Sequence, residues 1–431
     1  MDPAIITLCV LAVAAFLFVT ELIPLAVTAM AACTVLGILG VLPSKQVYAG
    51  LSNSTVVLFG GMFVIGAAMF KTGLAEAIGI AVVKKAGTNE IPLMAAIMIV
   101  TIVLSSVSSN TGTVACLMPV IIGICQAAKI PASKELMPLA IAANVGGTIT
   151  MIGTPPNVIV TGALSAAGLP TFGFFEFAFI GVPLSIIIVL YTLFVGRRFL
   201  PDHSAGEMDE EAVKAAKEEA GASDDNAPKS KTKMWISGLI LIGVVVCMAL
   251  DLKTVPLHTA AVTGAILCVV TGCLKEKEAY AGIDWVTIFL FAGMLSVASA
   301  MEKTGAGKLI ADTVVSMMGT NPNPYVLTAV LFLISNVLTQ FMSNTASAAL
   351  LAPIGISIAQ SIGADPKPVL MALGIAASCA FATPMATPPN TLVLGPGGFS
   401  FNDYAKVGVP MCVISLIVCL VVIPIVWPFG M

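Results

Sequence analysis

Two short polar motifs each occur twice in this chain, at nearly the same spacing. The first copies are Ser109-Asn110-Thr111 and Thr154-Pro155-Pro156-Asn157, and the second copies are Ser343-Asn344-Thr345 and Thr387-Pro388-Pro389-Asn390. The interval between the two motifs is almost the same in both copies. Apolar residues surround all four motifs, in a chain of 431 residues that is 58% hydrophobic and 10% charged. We therefore expect two related halves whose polar, helix-breaking segments occupy matching positions.

The composition excludes an ordinary soluble protein. The mean hydropathy is +1.03, and the charged fraction is well below the roughly 25% that is usual in globular proteins. Several apolar stretches reach the roughly 18–20 residues that a membrane-spanning helix needs. The first stretch, residues 4–20, has no preceding lysine or arginine and is predicted to be a retained helix rather than a signal peptide. No basic patch is large enough to follow a phosphate backbone, so nucleic acid is not expected as a partner.

The reactive residues of the chain form no recognisable catalytic or metal site. The ten cysteines are scattered, and the two histidines are His203 and His258. This pattern predicts neither a disulfide framework nor a zinc-type site. Because no nucleophile with a neighbouring base and no cofactor motif is visible, we expect neither an enzyme nor a bound cofactor.

One hydrophilic segment, residues 201–234, divides the chain and is predicted to be a linker; it contains nine acidic residues and five lysines.

The halves also match at Gly181-Val182-Pro183 and Gly408-Val409-Pro410. The first half predicts helices at 4–20, 23–42 and 54–70, an amphipathic helix at 73–86, a hairpin at 91–128, a broken helix at 134–164 and a last helix at 174–199. The second half predicts the same series at 235–251, 256–273, 285–301, 305–318, 325–361, 367–395 and 404–428.

The segment 91–128 is predicted to be a re-entrant hairpin. It carries no charge, and a polar run centred on Ser109 interrupts it. Each arm is then expected to have about 14 residues, or ~21 Å of helix, which is short of the ~30 Å hydrocarbon core. A hairpin tip at that depth is tolerated where protein or a water-filled cavity surrounds it.

With five spans in each half, the second half must be inverted relative to the first. The charges agree with this topology: 15 of the 20 lysines and arginines lie inside if the linker is cytoplasmic and both termini are outside. The predicted fold is an all-α polytopic membrane protein with an inverted-topology repeat, about ten transmembrane helices and two re-entrant hairpins.

The repeated motifs carry neutral oxygen ligands. Ser105 lies four residues before Ser109, and Thr339 lies four residues before Ser343, so each pair of hydroxyls falls on one helical face. Such hard oxygen ligands suit Na⁺. The paired prolines free carbonyls upstream, including those of Gly153 and Ala386. The helices that resume after the prolines direct free amides at an anion.

These residues resemble the divalent anion–sodium symporter family, the INDY-type dicarboxylate transporters. The resemblance covers essentially the whole chain and rests on the paired Ser-Asn-Thr tips, the paired Thr-Pro-Pro breaks and the run from Met342 to Ala349 that leads to Pro353. It implies a homodimer in which a mobile transport domain moves against a scaffold by an elevator mechanism. The implied divisions are scaffold parts at 1–87 and 235–319, transport parts at 88–200 and 320–431, and the cytoplasmic linker at 201–234.

The resemblance also implies the ligand sets. The first Na⁺ site would use Ser105, Ser109, Asn110 and Gly153, and the second Thr339, Met342, Asn344 and Ala386. The substrate would contact Ser109, Asn110, Thr111, Ser343, Asn344 and Thr345, with Thr154, Pro155, Thr387 and Pro388 lining the site.

The expected function is Na⁺-coupled import of C4-dicarboxylates such as succinate, malate or fumarate across the cytoplasmic membrane. A Na⁺-independent dicarboxylate exchanger of the same fold is the first alternative. A Na⁺/H⁺ or oxyanion antiporter is a more distant one, because the uncharged hairpins lack the intramembrane carboxylate that proton antiport usually needs.

Overall fold

The computed structural model describes residues 2–87, 89–202, 230–250, 254–318 and 323–429. Within these ranges the regular elements are all helices. The first half contains α1 Pro3–Thr20, α2 Leu25–Ile38, α3 Ser44–Val47, α4 Ser54–Lys71, α5 Leu74–Ala86, α6 Glu90–Ser105, α7 Asn110–Ala128, α8 Ser133–Gly146, α9 Pro155–Ala166 and α10 Ala178–Phe194. The second half contains α11 Lys231–Ala249, α12 Leu257–Val270, α13 Glu276–Ala281, α14 Trp285–Thr304, α15 Ala306–Met318, α16 Pro324–Thr339, α17 Asn344–Ser361, α18 Pro366–Ser378, α19 Pro388–Leu394 and α20 Phe401–Val426.

Seven helices of the described part are long and apolar enough to cross a membrane: α1, α4, α7, α10, α11, α14 and α20. Four shorter apolar helices, α2, α6, α12 and α16, accompany them. The prediction of an all-α polytopic membrane protein is confirmed. Most of the predicted linker, residues 203–229, lies outside the described residues.

The hairpin arms are longer than predicted. The first hairpin has arms of 16 and 19 residues, α6 and α7, so the expectation of about 14 residues was wrong. The reason is local: the Ser109 hydroxyl accepts a hydrogen bond from the backbone amide of Gly112, and this cap lets α7 begin at Asn110. The second part of the polar run therefore belongs to the first turn of a helix rather than to a loop.

The two predicted helix breaks are confirmed. Thr154 and Thr387 have extended backbones, with φ of −147° and −143°, and each is followed by a proline pair that begins α9 or α19. Proline fits the first helical turn because the amides there need no intrahelical acceptor. The helix after the second break has only seven residues and ends before the glycine-rich run 395–398. It ends one residue before the predicted end of the broken helix at 395.

The early helices of the two halves pack against each other in a matching pattern, α2 on α14 and α4 on α12. Equivalent glycines allow the close approach. A Cβ on Gly61 would lie 2.8 Å from the Ala261 carbonyl carbon, and a Cβ on Gly293 would lie 2.7 Å from that of Ala29. Because the neighbouring atoms are backbone, no larger residue fits at either position without moving a helix.

Candidate functional site

The first cluster forms where the tip of the hairpin α6–α7 meets the first break. One terminal atom of the Asn110 amide lies 2.5 Å from the Ser105 hydroxyl, 3.0 Å from the Gly153 carbonyl oxygen and 3.3 Å from that of Ala143. With its nitrogen turned inward, Asn110 can donate a hydrogen bond toward these oxygens. With its oxygen turned inward, four oxygens face one another. Gly147 closes the cluster, since a Cβ there would lie 2.9 Å from both terminal atoms of Asn110.

The second cluster repeats this geometry in the other half. The Thr339 hydroxyl lies 2.6 Å from Asn344 Oδ1 and 2.9 Å from the Ala377 carbonyl oxygen. In the first cluster the Ser105 hydroxyl lies 2.5 Å from Asn110 and 2.8 Å from the Ala143 carbonyl. A hydroxyl has one proton and can donate it to only one of two acceptors at a time. In both clusters an oxygen is therefore left for a cation or for an inward-turned amide nitrogen.

The asparagines of the two Thr-Pro-Pro-Asn motifs hold the breaks in shape. The Asn157 amide nitrogen donates to the carbonyls of Gly147 and Thr150, at 3.2 and 2.9 Å. The Asn390 amide nitrogen donates to those of Ala380 and Thr383, at 3.1 and 2.9 Å. Both side chains are buried. The sequence motif contains these asparagines, but reasoning from the prolines alone missed their role.

Asn144, which the sequence analysis missed entirely, joins the two halves. Its amide nitrogen donates to the Thr387 hydroxyl and to Asn390 Oδ1, both at 3.0 Å. The signal that revealed the other residues was duplication, and the equivalent position in the second half is occupied by Ser378. No repeated motif could therefore have pointed to Asn144.

The predicted residues differ in their exposure. Ser109 and Pro388 are exposed; Asn110, Thr111, Pro155, Ser343 and Asn344 are partly exposed; and Ser105, Gly153, Thr154, Thr339, Met342, Thr345, Ala386 and Thr387 are buried. No hydrogen bond within the described residues joins Met342 or Ala386 to the Thr339–Asn344 pair. No member of either cluster is titratable near neutral pH.

The helices exchange partners around these clusters. The second arm of the first hairpin, α7, packs on α19, and that of the second hairpin, α17, packs on α9. Helices α9 and α19 each begin with two prolines, which have no amide hydrogen, so the expectation that these helices direct free amides at an anion was wrong. Helices α7 and α17 instead begin at the polar residues themselves, at Asn110 and Asn344. The free backbone amides of such first turns attract negative charge. The arrangement therefore offers oxygen clusters for cations beside neutral donors for an anion.

Long apolar helices surrounding buried polar breaks place the chain in the class of multi-pass membrane transporters, and comparison with known proteins identifies the family. The family model described as "Citrate transporter" matches residues 15–366. The model described as "Sodium:sulfate symporter transmembrane region" matches residues 322–430. The chain belongs to the citrate transporter family and is a secondary transporter. The resemblance to divalent anion–sodium symporters is confirmed.

Relatives that cover most of the chain include two bacterial transporters. An uncharacterized transporter of Haemophilus influenzae is 30% identical over 95% of this chain and 89% of its own length. The sodium-dependent dicarboxylate transporter SdcS of Staphylococcus saprophyticus is 26% identical over 94% of this chain and 83% of its own.

Solved structures that share the fold include two bacterial membrane proteins. The YdaH transporter of Alcanivorax borkumensis has a TM-score of 0.65 at 14% identity and covers 100% of both chains. The MtrF protein of Neisseria gonorrhoeae has a TM-score of 0.62 at 16% identity, covering 91% of this chain and 84% of its own. At these identities the likeness concerns the fold alone.

Proposed function

We propose that this protein imports C4-dicarboxylates such as succinate, malate or fumarate and couples their import to Na⁺. The observation that carries the proposal is the matched pair of clusters at Ser105–Asn110 and Thr339–Asn344. In each, a single hydroxyl faces two acceptor oxygens at 2.5–2.9 Å, at matching positions of the two halves. A Na⁺ ion satisfies oxygens that have no proton to share, and neutral oxygen ligands suit it.

The proposed cation sites are those implied by the family resemblance. The first consists of Ser105, Ser109, Asn110 and Gly153, and the second of Thr339, Met342, Asn344 and Ala386. The close contacts among Ser105, Asn110 and Gly153 support the first site. The support for the second site is the Thr339–Asn344 contact.

Two like half-sites suit a ligand with two like ends. The proposed substrate residues are Ser109, Asn110, Thr111, Ser343, Asn344 and Thr345, lined by Thr154, Pro155, Thr387 and Pro388. All of them are uncharged, so the carboxylates would be held by hydroxyls, amides and the first turns of α7 and α17. Bound Na⁺ would offset the substrate charge, which favours movement of substrate and cation together.

The mechanism we propose is an elevator in a homodimer. The halves would be inverted repeats, with the linker in the cytoplasm and both termini outside. The transport domain would comprise residues 88–200 and 320–431. The recurrence of the same hydrogen bonds at matching positions supports the repeat, and the 15-to-5 distribution of basic residues supports the orientation. The elevator and the homodimer are proposed because the family resemblance implies them.

The test is uptake of radiolabelled succinate by proteoliposomes that contain the purified protein. Three conditions are compared: an inward Na⁺ gradient, K⁺ in place of Na⁺, and K⁺ outside with unlabelled succinate preloaded inside. We expect uptake only with the Na⁺ gradient. Uptake that needs preloading and ignores Na⁺ would identify an exchanger and remove the cation assignments. Absence of succinate uptake in all three conditions, with citrate or sulfate taken up instead, would contradict the proposed substrate.

A further inference from the structure

Asn144 makes a direct side-chain link between the two halves at the candidate site. It lies near the end of α8, is 1% exposed, and donates two hydrogen bonds to residues of the second break. One acceptor, Thr387, precedes the first turn of α19 and also accepts a hydrogen bond from the backbone amide of Asn390. The other acceptor, Asn390, holds the carbonyls of that break. Asn144 therefore contacts both side chains that shape the second break.

The same residue is tied to the first cluster through the backbone. It directly follows Ala143, whose carbonyl oxygen faces Ser105 and the Asn110 amide. Both residues belong to the last turn of α8, so a ligand that moves the Ala143 carbonyl also moves the Asn144 side chain. One helical turn therefore carries both the Ala143 carbonyl of the first cluster and the Asn144 amide that donates to the second break.

The contact has no counterpart in the opposite direction among the described residues. Ser378 occupies the position equivalent to Asn144, and its hydroxyl donates to the Gly374 carbonyl in its own helix at 2.8 Å. The residue equivalent to Asn390 is Asn157, whose Oδ1 is buried and has no hydrogen-bond partner. Helix α18 passes close to it, since a Cβ on Gly374 would lie 3.6 Å from that oxygen. The first break therefore has an acceptor where a donor from the other half is missing.

We infer that Asn144 is a positioning residue that couples the first cluster to the second break, so that Na⁺ bound at Ser105 and Asn110 strengthens substrate binding in the opposite half. This inference rests on the proposed function. If Asn144 only stabilised the fold, its replacement would lower thermal stability without changing the dependence of substrate affinity on Na⁺. The two roles are therefore separable by experiment.

The experiment measures equilibrium binding of radiolabelled succinate to the purified full chain at a series of Na⁺ concentrations. The coupling is the ratio of the succinate Kd at low Na⁺ to that at saturating Na⁺. We expect Asn144→Ser to reduce this ratio by about fivefold or more, the usual range for a coupling interaction. Adding Ser378→Asn to that variant supplies a donor for Asn157 from the other side, and part of the coupling should return.

Asn336→Ser is the matched control. Asn336 also donates two buried hydrogen bonds, to the carbonyls of Ala376 and Cys379 at 3.0 and 2.9 Å, but both lie within its own half. Ala376 and Cys379 flank the Ala377 carbonyl of the second cluster, but no hydrogen bond of Asn336 among the described residues reaches the other half. Its replacement should therefore lower the unfolding temperature and reduce the coupling ratio clearly less than Asn144→Ser does. If Asn144→Ser does not fold, the single variant Ser378→Asn is measured instead. A raised coupling ratio would support the inference, and an unchanged ratio would contradict it.

Three results would overturn the inference. One is wild-type coupling in a folded Asn144→Ser variant, and another is an equal loss of coupling in Asn336→Ser. The third is a wild-type protein whose succinate affinity does not change with Na⁺. The third result also removes the proposed Na⁺ symport, whereas the first two leave that proposal standing.

Discussion

The two half-sites share their central contacts but differ in what supports them. Each has a hydroxyl against an asparagine and a carbonyl, and each has an asparagine that holds the carbonyls of its break. The second break has further supports: Asn144 from the other half, and Tyr404, whose hydroxyl donates to the Asn390 carbonyl at 2.6 Å. The first break receives a different support, a backbone hydrogen bond from Met151 to the Phe174 carbonyl. Duplication has preserved the hydroxyl and asparagine contacts of the two clusters, while other hydrogen bonds that support the breaks differ between the halves.

The largest expected effect of a substitution is at the repeated Gly-Val-Pro motif, where the last helix of each half crosses the break of that half. A Cβ on Gly408 would lie 2.1 Å from the Phe381 carbonyl oxygen, and a Cβ on Gly181 would lie 2.5 Å from that of Thr148. These are backbone atoms and cannot rotate away. We expect Gly408→Ala to cost about 3 kcal/mol or more in unfolding free energy and Gly181→Ala somewhat less. Folded yield and unfolding temperature of the purified proteins measure both.

Glycines in open positions provide the controls. A Cβ on Gly123 in α7 or on Gly243 in α11 would meet no atom within 4 Å. Alanine is a better helix former than glycine by about 1 kcal/mol, so these variants should fold at least as well as the parent. Equal losses at Gly123 and Gly408 would show that the crossing has no special role.

The asparagines of the two tips provide the next largest effect. Asn110 lies against three oxygens, whereas the Asn344 side chain has one such contact, with Thr339. At about 1 kcal/mol for each lost contact, Asn110→Ala should lower Na⁺-driven succinate uptake by roughly a hundredfold or more. Asn344→Ala should lower it less. Uptake is measured in proteoliposomes at equal protein density.

Asn53→Ala is the control for general damage from removing an asparagine. Asn53 caps α4 by accepting a hydrogen bond from the Thr55 amide, far along the chain from either tip. Its loss should cost about 1 kcal/mol of stability with uptake largely kept. If all three alanine variants took up succinate equally, the proposed ligand roles of Asn110 and Asn344 would be wrong.

The ion pairs at the start of α8 and α18 also differ in whether they join the two halves, as the supports of the two breaks do. Lys134 and Lys367 occupy equivalent positions, but Lys134 pairs at 2.9 Å with Asp202, whose side chain is 76% exposed. Lys367 pairs at 2.7 Å with Glu176, and both side chains are 19% exposed. Glu176 also accepts hydrogen bonds from the Trp427 indole and the Gly173 amide. Of these two pairs, only the second joins the two halves of the molecule.

Removing the two carboxylates in turn tests that difference. Glu176→Gln weakens three contacts at a largely buried group and should cost about 1.5–3 kcal/mol. Asp202→Asn should cost less than about 1 kcal/mol, because exposed ion pairs contribute little. Thermal unfolding at low and high salt compares them. A larger loss in Asp202→Asn would contradict the structural ranking of the two pairs.

The sequence predicted those parts of the candidate site that lie in repeated motifs. Asn110, Asn344 and the proline breaks were visible because each lies in a repeated motif, and the helix breaks followed from the chemistry of proline. The positions equivalent to Asn144 and Tyr404 in the other half hold Ser378 and Phe177, so duplication does not single out either residue. The hydrogen-bond partners of both residues are distant in the sequence: Asn144 bonds to Thr387, 243 positions away, and Tyr404 bonds to the Asn390 carbonyl, 14 positions away. The short helix α13 was missed as well, since a six-residue polar helix has no apolar period to reveal it. Local chemistry therefore predicted the candidate ligand groups and the helix breaks, and only the folded chain identified the hydrogen bonds that support them.

The smallest expected effect concerns the two threonines that precede the breaks. Both are 3% exposed, but Thr387 accepts hydrogen bonds from Asn144 and from the Asn390 amide, whereas Thr154 makes no capping hydrogen bond through its side chain. Valine keeps the shape of threonine and removes the acceptor. Thr387→Val should therefore cost about 1–2 kcal/mol through the unsatisfied donors, with Thr154→Val costing clearly less. The measurement is thermal unfolding without substrate or Na⁺, so that loss of a ligand contact does not affect the unfolding temperature. Equal unfolding temperatures would mean that the link through Asn144 does not hold the second break, and the Tyr404 hydroxyl would then be the side-chain support that the first break lacks.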